Sequence, residues 1–142
     1  MRPVPVPVSG KAYLYLPSKL NWNDAREACR DLGGDLAVIG TYREFEEIIP
    51  SLVQYNTHGG LIWVGAKLRG KDLMNDWYWV SGEPLSTKFK KWINKNGKIT
   101  EPDVLSHDCA VIIMRGNERE NNGPSLATIP CSTSARISLC QI

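Results

Sequence analysis

The chain has 142 residues, is 42% hydrophobic and carries a formal charge of +2, which is long enough for one substantial core and short for two. A balance so close to neutral does not imply nucleic acid or an anionic membrane as a general partner, so any electrostatic specificity has to be local. No run approaches the roughly 18 consecutive apolar residues that a membrane span needs.

In chain order, Pro3, Pro5 and Pro7 make residues 1–9 a stiff, extended tail or linker ahead of a domain at 10–142, because proline fixes φ and donates no backbone hydrogen bond. The Pro-Val alternation is neither cationic nor helical as a signal peptide would be, and the expectation is a mature fragment with an added Met. KAYLYLP, 11–17, alternates like an edge or terminal strand and stops at Pro17. In NWNDAREACRDLGG, Asn21 caps a helix with Asp24 at its third position, and Trp22, Ala25, Ala28, Cys29 and Leu32 share one face. Gly33 and Gly34 stop it. A second helix opens on a Thr41/Glu44 capping box and carries Phe45, Ile48, Ile49 and Leu52 at helical spacing. Pro50 predicts that it ends or kinks near Ile49.

From Leu61 onward the signal changes to short apolar runs, LIWVGA, WYWV, CAVIIM and ISLC, bounded by Gly, Asn, Asp and Pro, which read as strands. Between WYWVSG and CAVIIM lie about 26 residues of little periodicity, a length that is usually functional or disordered inside a compact domain. Helices first and strands afterwards predict an α+β domain. The cysteines, at 29, 109, 131 and 140, form no CxxC pair and have no histidine cluster beside them, so disulfides and an oxidising compartment are expected instead of zinc, with three connectivities open.

Several of these stretches, in this order, resemble the C-type lectin-like domain. WNDAREACRDLGGDLAVI (22–39) resembles its first-helix signature, LIWVGAKL (61–68) its WIGL strand and WYWVSGEPL (77–85) its WxW turn; EPDVLSHDCAVI (101–112) and ISLC (137–140) continue the order. The resemblance implies a short-form C-type lectin-like fold with two helices, mostly antiparallel strands and a long structured loop region. It also implies nested disulfides, Cys29 with Cys140 and Cys109 with Cys131.

In sugar-binding members of that family a calcium ion sits against the long loop, and the sugar completes its coordination. Glu101, Pro102 and Asp103 match the family's ligand triplet in mixed form, with a carboxylate at both ligand positions. His107 stands where the family has an acid, and a neutral imidazole is a poor partner for a hard cation. The family's Trp-Asn-Asp triplet is replaced by Leu126, Ala127 and Thr128; Ala127 offers no side-chain oxygen and Thr128 only a hydroxyl. Calcium takes six to eight oxygen ligands, so a degenerate site is expected, with Glu101, Asp103 and Asp108 as the metal-ligand candidates, Glu101, Asp103 and His107 as long-loop ligand contacts, and no cofactor required. RGNERENNG, 115–123, brings further oxygens on Glu118, Glu120, Asn121 and Asn122, but reads more simply as a solvated turn.

KFKKWINKNGK, 88–98, carries Lys88, Lys90, Lys91, Lys95 and Lys98 with no acid between them and with Phe89 and Trp92 interleaved. Such a patch attracts a sulfated or sialylated glycan or an acidic protein, and its plainer reading is a solubilising face. His58-Gly59-Gly60 is not accompanied by a nucleophile elbow, and no enzyme is expected. The functional expectation is a secreted or extracellular recognition module for carbohydrate, with calcium optional. The alternative is a calcium-independent protein-interaction or structural C-type lectin-like domain without sugar binding. Neither nucleic acid nor a membrane span is expected.

Overall fold

A computed structural model describes residues 4–8, 11–39, 42–55, 61–69, 77–84, 94–95, 98–99, 109–113 and 125–142. The edge strand β1 (Val4–Val8) is followed by β2 (Lys11–Leu16), helix α1 (Trp22–Asp31), the short β3 (Asp35–Leu36), helix α2 (Tyr42–Tyr55), β4 (Leu61–Leu68) and β5 (Trp77–Trp79). A small hairpin of β6 (Asn94–Lys95) and β7 (Lys98–Ile99) precedes β8 (Cys109–Ile113), β9 (Ser125–Ile129) and β10 (Ile137–Gln141). The main sheet runs β1-β2-β10-β4-β8-β9, with β3 added to β10 and β5 to β4. Its one parallel pairing is β10 on β4; the other ladders of this sheet are antiparallel. The expected α+β class holds.

Period-two alternation sorts the strands into two cores. Tyr13, Tyr15, Ile62, Val64, Ala66, Leu68, Ala110, Ile112, Leu126, Ile137 and Leu139 face Phe45 and Ile48 of α2. The residues between them, Leu16, Trp63, Cys109, Val111 and Cys140, face Trp22, Ala25 and Cys29 of α1. The sheet therefore has a helix on each face.

Helix α1 follows from its sequence. The Asn21 side-chain oxygen accepts from Asp24 N–H at 2.9 Å, which satisfies one of the four donors that a helix start leaves open. At the other end Gly33 takes φ +93°, its N–H donates to Arg30 and that of Gly34 to Cys29, a Schellman closure that favours glycine. The helix ends one residue short of the expected apolar face: Leu32 is the cap and is 39% exposed.

Three expectations change. Residues 4–8 are extended as foreseen, yet they pair with β2 from Val4↔Tyr15 to Val8↔Lys11 and pack beside α2 instead of standing free. KAYLYL is consequently not the edge, since β2 lies between β1 and β10. In β1 only the valines have donors to give the ladder, so the opposite edge, where Pro5 and Pro7 turn their nitrogens, is poor in N–H groups and resists further strand pairing. Of the two outcomes expected at Pro50, an end or a kink near Ile49, the end does not occur: helix α2 runs through Pro50 to Tyr55. An interior proline costs a helix about 3 kcal/mol, and burial of Phe45 and Ile48 supplies packing of comparable size. Thr41 lies outside the described residues.

Gly65 fixes the middle of the sheet. A Cβ there would stand 2.9 Å from the Leu36 carbonyl oxygen and 3.0 Å from that of Ala37, while Gly65 N–H donates to Ala37 at 2.8 Å and its carbonyl accepts from Val80 at 2.7 Å. The β4–β8 register shifts between Trp63 and Lys67, around this glycine. Two of the buried indoles reach backbone acceptors, Trp22 Nε1 to the Val64 carbonyl at 3.0 Å and Trp63 Nε1 to that of Leu20 at 2.8 Å.

Candidate functional site

The disulfides are nested, Cys29–Cys140 with Cα atoms 5.3 Å apart and Cys109–Cys131 with Cα atoms 5.1 Å apart, as the resemblance implied. Cys109–Cys131 ties the first residue of β8 to the turn after β9. In the β8–β9 ladder Cys109 pairs with Ile129, Ala110 with Thr128 and Val111 with Ala127. The first residue of β8, Cys109, thus stands beside the last residue of β9, Ile129. On the β9 side, Ala127 and Thr128 bring no carboxylate or amide to that end.

Glu101, Asp103, His107 and Asp108 lie outside the described residues, as do the 115–123 turn, His58 and Lys88, Lys90 and Lys91. Lys95 and Lys98 fall in the β6–β7 hairpin and pair directly across it. Among the described residues no group of three or more His, Cys, Asp or Glu side chains is placed to hold a metal ion, and no helix is long and apolar enough to cross a membrane.

Residues 18–142 match the model of the lectin C-type domain. This chain belongs to the C-type lectin domain family. CD209 antigen-like protein D of Mus musculus is 33% identical over 105 residues, which are 72% of this chain and 39% of that protein. CD209 antigen-like protein A of the same species is 33% identical over 102 residues, 71% of this chain and 39% of that protein. This lectin domain therefore spans about two fifths of the length of these relatives. Among solved structures, the C-type lectin domain of murine dendritic cell inhibitory receptor 2, in complex with an N-glycan, superposes with a TM-score of 0.74 at 25% identity, covering 97% of this chain and 94% of that one.

Two features of the site region escaped sequence reading. Strand β9 was hidden because SLATI is short and mixes polar with apolar residues, and its positions were weighed only as ligands. The β6–β7 hairpin had a signal in Asn96-Gly97, a strong two-residue hairpin turn, which the count of lysines obscured.

Proposed function

We propose that this domain is an extracellular recognition module for carbohydrate whose calcium site is degenerate, with acidic glycans as its preferred class. The observation that carries this reading is the likeness over nearly the whole chain to a C-type lectin domain that was solved with an N-glycan. Glu101, Asp103 and His107 are its long-loop contacts, and Lys88, Lys90, Lys91, Lys95 and Lys98 attract an anionic ligand. Glu101, Asp103 and Asp108 are the carboxylates available to a calcium ion. Ala127 and Thr128 leave two of the family's ligand positions without a carboxylate or amide, which weakens a site for an ion that takes six to eight oxygens, and recognition accordingly needs no metal. Two disulfides support an oxidising, extracellular setting. The domain binds its ligand and catalyses nothing.

A glycan array run in calcium, in chelator and at raised salt tests this. Binding to sulfated or sialylated glycans is expected to survive chelator and to weaken as salt screens the lysines. Loss of binding in chelator together with loss in Glu101→Gln would overturn the metal-independent reading. Absence of glycan binding in every buffer would favour a protein ligand.

A further inference from the structure

A cleft of about 500 Å³ opens between the first turns of α1 and the β4–β5 pair, within the size range of small-ligand sites. Its polar lining comes from Asn23, Arg26, Lys67, Arg69 and Tyr78, set around the ring of Trp22. Trp22 and Arg26 are one helical turn apart and Tyr78 pairs with Lys67, so each pair shares a side; Arg69 follows directly after the end of β4 and borders the same cleft.

Three cations converge here on two rings. Arg26 Cζ lies 5.9 Å and Lys67 Nζ 5.2 Å from the Trp22 ring centroid, and Arg69 Cζ lies 5.7 Å from that of Tyr78, all within cation–π range. The Trp22 ring is locked, being 3% exposed with its indole N–H bonded to the Val64 carbonyl. Arg26 is neutralised by Asp35 through two contacts of 3.1 and 3.3 Å. Among the described residues, no carboxylate forms an ion pair with Lys67 or Arg69. Among the described residues the cleft thus holds two positive charges without a carboxylate partner on a rigid aromatic floor, an arrangement that an anion relieves.

We infer that this cleft is an oxyanion site that receives the sulfate esters of an acidic glycan chain, with Lys67 and Arg69 as its charged contacts and Asn23 beside them for hydroxyl groups. An acidic peptide fits less well. Peptide recognition by strand addition needs a free edge, and β4 is already flanked by β10, β8 and β5; docking of an apolar side chain has only Leu68 and Val80 as aliphatic wall. Recognition of an acidic motif by clustered cations is the remaining peptide mode, and the phosphopeptide and poly-glutamate arms of the test separate it. A guanidinium and an ammonium together match tetrahedral oxyanions, which phosphate groups share. The inference is independent of whether residues 101–108 bind sugar.

The test is a titration of the ¹⁵N-labelled domain, in chelator, with a fully sulfated heparin-derived octasaccharide, its desulfated counterpart, a phosphorylated peptide and poly-glutamate. The sulfated saccharide is expected to shift the Trp22 indole N–H resonance and to bind more weakly as salt rises. The Lys67→Gln, Arg69→Gln double variant should lose at least tenfold in affinity along with the indole shift, while keeping the wild-type melting temperature. A second pair, Lys67→Met with Arg69→Met, retains the side-chain stems and should lose the same affinity. Binding without the indole shift places the anion elsewhere and overturns the inference. It is equally overturned if both double variants bind as wild type, or if the desulfated saccharide, the phosphopeptide or poly-glutamate binds as tightly as the sulfated one.

Discussion

The two faces of the sheet are built from alternate residues of the same strands, yet they are held by different means. The α2 face buries Tyr13, Tyr15, Phe45, Trp77 and Trp79 in a continuous apolar layer. The α1 face has Trp22 and Trp63 as its large rings, fills the rest with smaller residues such as Ala25 and Ala135, and carries both disulfides. Aromatic burial is available where the sheet is regular. Where β4 bends around Gly65 and a cleft opens beside α1, less apolar area can be covered, and covalent links hold what packing does not.

Breaking the longer link should give the largest effect. Cys29–Cys140 spans 111 residues and Cys109–Cys131 spans 22, and loop-closure entropy assigns them roughly 5 and 3 kcal/mol. Urea unfolding of Cys29→Ala with Cys140→Ala is therefore expected to show the greater loss of the two paired variants. Equal losses would mean that loop length does not set the contribution of these links, and losses near zero in both would mean that the α1 face is held by packing.

Next comes the bend itself. In Gly65→Ala the new methyl meets the Leu36 and Ala37 carbonyl oxygens, which are backbone and cannot rotate aside, so a loss of about 1–3 kcal/mol is expected. Thermal unfolding measures it. A variant as stable as the parent would show that β3 and β4 can separate without penalty.

These two regions also differ in how far the sequence revealed them. The α1 cap, the glycine stop and the apolar run of β4 are local patterns, and each was readable where it stood. Strand β1 was not, because proline argues against strands and only the pairing to Lys11–Leu16 shows that valine donors suffice for an edge. The passage of α2 through Pro50 was hidden for a related reason: propensity states the local cost, while burial of Phe45 and Ile48 is tertiary. The cleft was invisible, since Trp22, Lys67 and Tyr78 are far apart in sequence and meet only through the β4–β5 register and the packing of α1. The ligand residues of the long loop were legible only through family motifs, and Glu101, Asp103 and His107 lie outside the described residues.

On the α2 face a smaller effect should appear at alkaline pH. The Tyr13 hydroxyl donates to the Val38 carbonyl at 3.2 Å. Burial, aided by the charges of Glu44 and Glu47, pushes its phenol above the ordinary value, and burial raises Tyr15 as well. A raised folded-state pKa leaves stability whole below the unfolded value near 10 and removes it as pH climbs from there toward the folded value, by up to about 1.4 kcal/mol per pH unit for each such group. Tyr13→Phe should cost about 1 kcal/mol at pH 7 through the lost hydrogen bond, and should shallow the decline above pH 10. The Tyr15 share should remain. An unchanged alkaline slope would remove Tyr13 from this account.

The smallest expected effect separates the faces most finely. Ser138 is fully buried in β10, between Leu16 and Trp63 in the ladders on the α1 side, and its hydroxyl has no hydrogen-bond partner among the described residues. A buried hydroxyl without a partner carries a desolvation cost of about 1–3 kcal/mol, whereas alanine gives up only the van der Waals contacts of one oxygen. Ser138→Ala should consequently be neutral or gain up to about 1 kcal/mol in urea unfolding. On the α2 face, where the neighbouring β10 residues Ile137 and Leu139 pack tightly, Leu139→Ala should instead lose about 2–5 kcal/mol. A loss at Ser138 as large as at Leu139 would mean that the α1 face depends on the hydroxyl, and would turn the contrast between a packed face and a stapled one into a contrast between apolar and polar cores.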